Sequence, residues 1–157
     1  MSIVINTTID IDATSQAVWD VLINFNAYRE WNSLHHRRNP KVGTKLVVHM
    51  SPGGGRGMTF RPTVAAATPN KELRWIGKMG STRILSGEHF FILTPNPDGS
   101  TRLTHGENYT GALVTIMKGS LDKNKNPAGG YEAFNHALKQ RVENSRNSTA
   151  DHRRPAR

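Results

Sequence analysis

The sequence predicts a single α+β domain, in which an antiparallel sheet carries one long helix from the C-terminal third of the chain. Two strand segments flank a turn signal at Asn96-Pro97-Asp98-Gly99, where Pro, Asp and Gly supply the backbone angles of a reversal. Apolar residues recur at helical spacing between Tyr131 and Val142. The chain has 157 residues and no internal repeat, which suits one domain.

The N-terminal segment predicts a strand followed by two short helices. Residues 2–11 alternate, with Ile at positions 3, 5, 9 and 11 on one face. Thr14 or Ser15 caps a helix that runs to about Ile23. Residues 25–31 suit a second, short helix, and residues 33–40 form a loop that ends in a turn signal.

The middle of the chain predicts three more strands, at residues 45–50, 58–67 and 72–79. The segment SPGGGRG at residues 51–57 forms a flexible hairpin connection between the first two. It does not match a phosphate-binding loop, because no Lys-Ser/Thr pair follows it. Pro62 predicts a bulge or an edge position, since proline cannot donate to a sheet ladder.

The segment Gly87 to Gly111 predicts a hairpin whose faces mix apolar bulk with titratable groups. If both mixed faces lie on the same side, paired residue numbers sum to about 196. His89 then lies opposite Glu107, and Phe91 lies opposite His105. Such a mixture is more typical of a cavity wall than of a surface strand.

The C-terminal third predicts helices and then a polar tail. Residues 112–121 are apolar and suit a helix, and Asn126-Pro127 suits the start of the long one, because proline at the first helical position loses no hydrogen bond. We expect the domain to span residues 1–143. Residues 144–157 are polar and basic, so we expect a disordered tail.

Composition narrows the class of protein. The chain contains no cysteine, which excludes disulfides, thiolate catalysis and thiolate metal sites. The N-terminus lacks a basic segment followed by an apolar run, so we expect no signal peptide. No stretch approaches the ~20 apolar residues of a membrane span. We therefore expect a soluble, cytoplasmic protein without membrane insertion.

The formal net charge of +9 is unevenly distributed. Between residues 35 and 61 lie six basic residues and no acidic one: Arg37, Arg38, Lys41, Lys45, Arg56 and Arg61. This segment is either a solvated basic face or a surface for an anion, such as an acidic carrier protein. Nucleic acid is not expected as a partner, because neither aromatic interleaving nor a recognition helix accompanies the charge.

Several segments, in this order and spacing, resemble the START-like "polyketide cyclase/dehydrase" proteins from about Ile3 to Glu143. They are Val18-Trp19, Tyr28 to Asn32, Gly53 to Pro62, Leu73-Arg74-Trp75, Gly87 to Phe91, Thr101 to Gly111 and Phe134 to Lys139. The resemblance implies a helix-grip fold, a curved sheet around the long helix with a deep, mostly apolar cavity. It also implies lipids, polyketides, terpenoids, hormones or aromatic compounds as ligands, and only some members of the family are enzymes. The loop after Asn32, which carries His35-His36-Arg37-Arg38, is shorter than the family pattern.

Four polar residues of the hairpin are the candidate catalytic groups. A carboxylate at Glu107 that binds the His89 imidazole orients the ring and favours its protonated form, as in a general acid/base pair. Tyr109 and His105 are expected to polarise a substrate carbonyl. The structural alternative is that His89 and Glu107 only satisfy each other. A metal bound by His89, His105 and Glu107 is a further alternative; we expect neither a metal nor a cofactor.

Six aromatic residues are expected to line the ligand site rather than only fill the core: Trp31, Phe60, Trp75, Phe91, Tyr131 and Phe134. Two functions follow. One is an enzyme that catalyses cofactor-free cyclisation, dehydration or isomerisation of a polyketide-like or aromatic intermediate in secondary metabolism, as a lyase or isomerase. The other is a non-catalytic carrier or binder of a lipophilic ligand. The sequence is compatible with a monomer or a homodimer.

Overall fold

A computed structural model describes residues 2–32, 35–36, 40–50, 58–123 and 128–151. Within these residues the chain folds into strands and helices in the following order: β1 (Ser2–Ile11), α1 (Ser15–Ile23), a 3-10 helix (Phe25–Glu30), β2 (His35–His36), β3 (Val48–Met50), β4 (Met58–Phe60), β5 (Thr63–Thr68), β6 (Glu72–Met79), β7 (Leu85–Pro95), β8 (Thr101–Thr110), α2 (Val114–Lys123) and α3 (Gly129–Asp151).

The strands form two antiparallel sheets. The larger has the order β1-β8-β7-β6-β5, and the smaller has the order β2-β3-β4. They join beside β5, where Lys45 bridges Thr63 and the Leu46 N–H donates to the Pro62 carbonyl at 2.8 Å. Helix α3 packs on the inner face of the larger sheet, against β1 and β8. The predicted α+β architecture, with an antiparallel sheet against a long C-terminal helix, is confirmed.

The central hairpin has the predicted register. His89 lies opposite Glu107 and Phe91 lies opposite His105. The turn between β7 and β8 closes with a hydrogen bond from the Gly99 N–H to the Asn96 carbonyl at 3.1 Å. Gly99 has a φ of 86°, a left-handed conformation that glycine adopts without steric cost. The turn therefore sets which side chains meet across the pair.

The predicted strand at residues 58–67 is divided into β4 and β5. Pro62 separates the two strands, since it lacks the N–H that a continuous ladder would require. Strand β5 is an edge strand of the larger sheet, and its pairing with β6 shifts register between Val64 and Ala66. A bulge or an edge position was predicted at Pro62, and the strand that follows it is an edge strand with a register shift.

The core lies between the inner face of the larger sheet and helices α1 and α3. Leu138 and Val142 of α3 are 0 % and 1 % exposed, as the helical stripe predicts. They belong to one cluster with Leu93 and Leu103 of the hairpin. Helix α1 begins as predicted, because the Thr14 hydroxyl accepts a hydrogen bond from the Ala17 N–H at 3.3 Å.

Helix α3 continues to Asp151, beyond the boundary expected at residue 143. The Asn, Ser and Thr residues of this segment lower helix propensity but do not stop a helix that has already formed. An ion pair of 3.2 Å between Arg146 and Asp12 links its last part to the end of β1. None of the described helices is both long enough and apolar enough to cross a membrane.

Several predicted features lie outside the described residues. They are the loop residues 33–34 and 37–39 with Arg37 and Arg38, the connection 51–57 with Arg56, the helix start Asn126-Pro127, and the last part of the tail, residues 152–157.

Candidate functional site

A row of side chains crosses the inner face of the sheet near its solvent-facing end. The register places Ile5, Glu107, His89 and Trp75 side by side on β1, β8, β7 and β6. The His89 and Glu107 side chains are 14 % and 21 % exposed, whereas Trp75 is buried. Strand alternation thus brings an acid and an imidazole together at a position that remains accessible.

Three donors converge on a single oxygen of Glu107. The Tyr109 and Tyr131 hydroxyls each donate to Oε2 at 3.1 Å, and His89 Nδ1 lies 3.4 Å from the same atom. Tyr109 comes from β8 and Tyr131 from the first turns of α3, so the carboxylate joins the sheet to the helix. The two hydroxyls are themselves 3.4 Å apart. The carboxylate is therefore oriented from three sides.

The hydrogen bonds continue inward from His89. Its Nε2 atom lies 2.9 Å from His105 Nε2, and His105 Nδ1 lies 2.8 Å from Asn135 Oδ1. The His105 ring also hydrogen-bonds the backbone of Tyr131. His105 and Asn135 are 2 % and 1 % exposed. A polar chain thus runs from the accessible carboxylate to the buried face of α3.

The oxygen acceptors at the inner end determine where the hydrogens lie. A carbonyl oxygen only accepts, so His105 Nδ1 carries a hydrogen, and the Nε2 atom of the neutral ring accepts one from His89 Nε2. His89 Nδ1 then faces the Glu107 carboxylate and can donate to it only if the ring carries a second proton. The chain is complete when His89 is an imidazolium and Glu107 is ionised.

The environment of Glu107 favours that charged form. Burial raises the pKa of Glu107, but the hydrogen bond and charge of His89, together with the Tyr131 and Tyr109 hydroxyls, outweigh burial and bring the pKa below its ordinary value of 4.5. A carboxylate that accepts several hydrogen bonds holds its charge at lower pH. Glu107 is therefore ionised at neutral pH.

The two tyrosines remain protonated. Burial and the negative charge of Glu107 raise the pKa of Tyr109 to about 12. The same causes raise the pKa of Tyr131 further. Both hydroxyls are therefore hydrogen-bond donors rather than phenolate bases. Tyr131, predicted as an aromatic lining residue of the ligand site, contributes its hydroxyl to the polar part of the site.

His105, which was predicted to polarise a substrate carbonyl, is buried in the core. Burial lowers the pKa of His105 well below its ordinary value of 6.5, and the charge of His89 lowers it further. Its ring stacks on Phe91 with centroids 4.2 Å apart, and both ring nitrogens have partners within the protein. The polarisation of a substrate carbonyl by His105 stays a prediction, and in the structure both ring nitrogens contact protein atoms.

The aromatic residues predicted to line a gap contact one another instead. Phe91 lies 5.3 Å from Phe134 and 5.4 Å from Trp75 between ring centroids, and Trp31 lies 5.4 Å from Phe134. Rings at these distances are in van der Waals contact. Sheet and helix therefore meet directly at this level.

Phe60 is placed apart from this cluster. It lies on β4 opposite Val48, and its side chain is 39 % exposed. The division of the strand at Pro62 puts β4 in the smaller sheet, so strand alternation does not carry Phe60 onto the inner face beside Trp75. The other five predicted aromatic residues are brought together: Trp31, Trp75, Phe91, Tyr131 and Phe134.

Two residues of the site were not identified from the sequence. Asn135 follows Phe134 in α3, and an asparagine in an otherwise apolar helical stripe was the available signal. Gly87 lies opposite Tyr109, and a β-carbon at this position would lie 2.2 Å from Glu107 Oε1. The absence of a side chain at Gly87 is therefore required for the position of the carboxylate.

The histidines and the carboxylate do not form a metal site in the described part of the chain. No group of three or more His, Asp or Glu side chains there is arranged to hold a metal ion. The reason is visible in the hydrogen bonds: each ring nitrogen of His89 and His105 points at another protein atom, so the three side chains do not converge on a common point.

Comparisons with known proteins agree with this architecture. The family described as polyketide cyclase / dehydrase and lipid transport matches residues 2–143. No curated protein matches the sequence significantly.

Solved structures share the fold at low sequence identity. A START superfamily protein from Mycobacterium smegmatis is 20 % identical with a TM-score of 0.62, covering 90 % of this chain and 97 % of its own. Protein MLL2253 of Mesorhizobium loti is 21 % identical with a TM-score of 0.65, covering 92 % and 98 %. Norcoclaurine synthase from Thalictrum flavum, in complex with dopamine and hydroxybenzaldehyde, is 14 % identical with a TM-score of 0.68, covering 92 % and 88 %. With the family match over residues 2–143, the chain belongs to the polyketide cyclase/dehydrase and lipid transport family and has its START-like fold.

Proposed function

We propose that this protein binds a small hydrophobic molecule, polyketide-like or aromatic, at the accessible end of the inner sheet face and catalyses a proton-transfer reaction on it. The observation that carries the proposal is the arrangement of three donors on Glu107 Oε2, which holds an ionised carboxylate in one orientation at the edge of an aromatic interior. Cyclisation, dehydration and isomerisation of such molecules share one step, the removal of a proton from a carbon next to a carbonyl group.

Glu107 is the base in this proposal. Its Oε2 atom is occupied by donors, so Oε1 is the oxygen that faces the substrate. Protonation removes the negative charge that holds the Tyr109 and Tyr131 hydroxyls. These donors then stabilise the negative charge that develops on the substrate oxygen. The His89 ring in its protonated form gives a proton to the intermediate and then recovers one from Glu107, whose Oε2 lies 3.4 Å from His89 Nδ1.

His105 and Asn135 act as positioning residues. The Asn135 Oδ1 acceptor at His105 Nδ1 sets the tautomer of His105, and that tautomer sets which nitrogen of His89 faces Glu107. This role replaces the predicted polarisation of a carbonyl by His105. It also explains why a buried asparagine on α3 lies behind the catalytic pair.

A non-catalytic carrier is the second candidate. The lowered pKa of Glu107 makes its carboxylate a weak base, which suits an anchor for a ligand as well as a catalyst. In a carrier the same carboxylate and hydroxyls hold one polar group of a lipophilic molecule and no bond changes. The two functions share the site and differ in whether a proton moves.

Two probes distinguish these functions. Binding of hydroxybenzaldehyde, followed by tryptophan fluorescence, tests the site, and deuterium incorporation into the methyl group of hydroxyacetophenone in D2O, followed by NMR, tests proton removal. An enzyme binds the first probe and accelerates exchange in the second. Glu107→Gln is expected to reduce exchange at least 100-fold, in the range of a lost general base.

Glu88→Gln is the matched control, because Glu88 lies one residue from His89 on the outer face, paired with Arg74. It should leave both readouts unchanged. Binding without exchange would assign the carrier function. If neither probe binds the wild-type protein, or if Glu107→Gln leaves binding and exchange unchanged, the proposed site is wrong.

A further inference from the structure

Two paired glycines lie next to Glu107 on the inner face of the sheet, where the backbone carries no side chain. Gly77 of β6 pairs with Gly87 of β7, which in turn pairs with Tyr109 of β8. On either side of Gly77 along β6, two residues away, lie Trp75, which is buried, and Met79, which is 59 % exposed. Because strand side chains alternate with period two, Trp75, Gly77 and Met79 face the same side. We call the surface over the paired glycines the Gly77–Gly87 notch.

The two glycines differ in what lies above them. At Gly87 the space is filled by the Glu107 carboxylate, since a β-carbon there would be 2.2 Å from Oε1. At Gly77 a β-carbon would meet, among the residues that the structure describes, only the Pro62 Cβ, at 3.9 Å. Paired residues in adjacent antiparallel strands have α-carbons about 5 Å apart. The open position over Gly77 is therefore within hydrogen-bonding reach of Oε1 for a group of modest size.

Glu107 Oε1 is available to a ligand. The His89, Tyr109 and Tyr131 donors all reach Oε2, and among the described residues no donor reaches Oε1. A carboxylate oxygen accepts hydrogen bonds and cannot donate when ionised. A ligand that uses this atom must therefore present an N–H or O–H group.

The charge around the site favours a neutral donor over a cation. When the His89 ring is protonated, its positive charge lies 3.4 Å from Glu107 and balances the carboxylate. An ammonium group would add a second positive charge beside His89, and like charges at such distances are unfavourable. A hydroxyl group makes the same hydrogen bond without that cost.

We propose that the Gly77–Gly87 notch binds a hydroxylated aromatic ring, with the ring over Gly77 between Pro62, Trp75 and Met79 and its hydroxyl donating to Glu107 Oε1. This inference rests on the proposed function and names the class of ligand for the same site. The bare backbone at Gly77 suits a planar ring, because a side chain there would hold the ring away from the sheet. The apolar border and single free acceptor together select a phenol-like group.

Two matched probes test the proposal: 2-naphthol, which carries the donor, and 2-methoxynaphthalene, which has the same ring system without it. The wild-type protein is expected to bind 2-naphthol at least tenfold more tightly. Glu107→Gln, whose amide no longer accepts at a charged oxygen, is expected to reduce that preference to less than threefold. Gly77→Leu is expected to weaken both probes at least tenfold by filling the notch.

Lys78→Leu is the control, because it adds the same side chain to the next residue, on the opposite face of β6. It should bind both probes as the wild type does, and thermal unfolding checks that each variant folds. If Gly77→Leu does not fold, Gly77→Ala replaces it, since a β-carbon there makes an ordinary 3.9 Å contact, and a severalfold weakening is expected. If the wild type binds both probes equally, and the Gly77 variant binds them as the wild type does, the proposed binding at the Gly77–Gly87 notch is wrong. The proposed function is not contradicted by that result. Failure of the wild type to bind either naphthalene or hydroxybenzaldehyde would overturn the proposed function itself.

Discussion

The two ends of the β7–β8 hairpin share one inner face and have opposite character. At the turn end, Leu93 lies opposite Leu103, and these side chains are 4 % and 0 % exposed in the core with Leu138. Four register pairs further along the strands, on the same face, His89 lies opposite Glu107 with both side chains partly exposed. The same alternation produces both pairs, so the difference comes from what helix α3 lays over them: leucine and valine at one end, the Tyr131 hydroxyl at the other.

This difference separates stability from chemistry within one hairpin. The turn end buries apolar area without polar atoms, which stabilises the fold. The accessible end holds charged groups whose hydrogen bonds orient one another, which is useful for binding and proton transfer but contributes less to stability. The boundary between them is the Phe91–His105 pair, where an imidazole is stacked on an aromatic ring inside the core.

The largest expected effect is at the turn end. Leu103→Ala should lower the free energy of unfolding by about 2–5 kcal/mol, because it removes buried methyl groups and leaves a cavity. Tyr109→Phe, at the accessible end of the same strand, should cost about 1 kcal/mol, since it removes one partly exposed hydrogen bond. Urea unfolding measures both variants. Equal losses of stability would contradict the proposed division of the hairpin.

An intermediate effect is expected at the Phe91–His105 pair, where the free energy of unfolding should depend on pH through His105. The pKa of His105 is lowered in the folded protein, so between that pKa and 6.5 the unfolded chain binds more protons than the folded one. Stability from the neutral ring is present above pH 6.5 and is lost as the pH falls towards the folded pKa. His105→Gln should therefore reduce the slope of unfolding free energy against pH below 6.5, by up to about 1.4 kcal/mol per pH unit.

The control for that measurement is His136→Gln. It removes the same type of side chain, but His136 is an exposed residue of helix α3. Urea unfolding at pH 5.0, 5.5, 6.0 and 6.5 gives the slopes. The interpretation of His105 as a buried neutral ring fails if both variants have the wild-type slope, or if His136→Gln changes it more than His105→Gln does.

The smallest effect on stability, and the clearest separation from function, is expected at Gly87. Gly87→Ala places a methyl group 2.2 Å from Glu107 Oε1, and the flexible glutamate moves aside at a cost of about 1 kcal/mol. The displaced carboxylate loses the geometry set by Tyr109 and Tyr131, so binding of hydroxybenzaldehyde should weaken at least tenfold. A variant that binds this probe like the wild type would show that the carboxylate position is not needed.

Part of the site follows from strand geometry alone. The pairs His89–Glu107 and Phe91–His105 were predictable because a turn at Asn96–Gly99 and a shared inner face leave one register. The contribution of Tyr131 to the same carboxylate was not, because it depends on how far helix α3 extends over the sheet. The placement of Phe60 differed from the prediction for a related reason: Pro62 moved its strand into a second sheet.

By itself, the sequence determined the antiparallel hairpin, its register, the apolar stripe of α3 and the family to which the chain belongs, since these depend on local backbone preferences and side-chain periodicity. Only the tertiary structure decided that the predicted lining rings pack against each other and that both ring nitrogens of His105 hydrogen-bond to protein atoms. It also decided that Glu107 Oε1 lies near Gly77, which carries no side chain. Those features depend on distances between elements far apart in the chain, which alternation along a single strand does not specify.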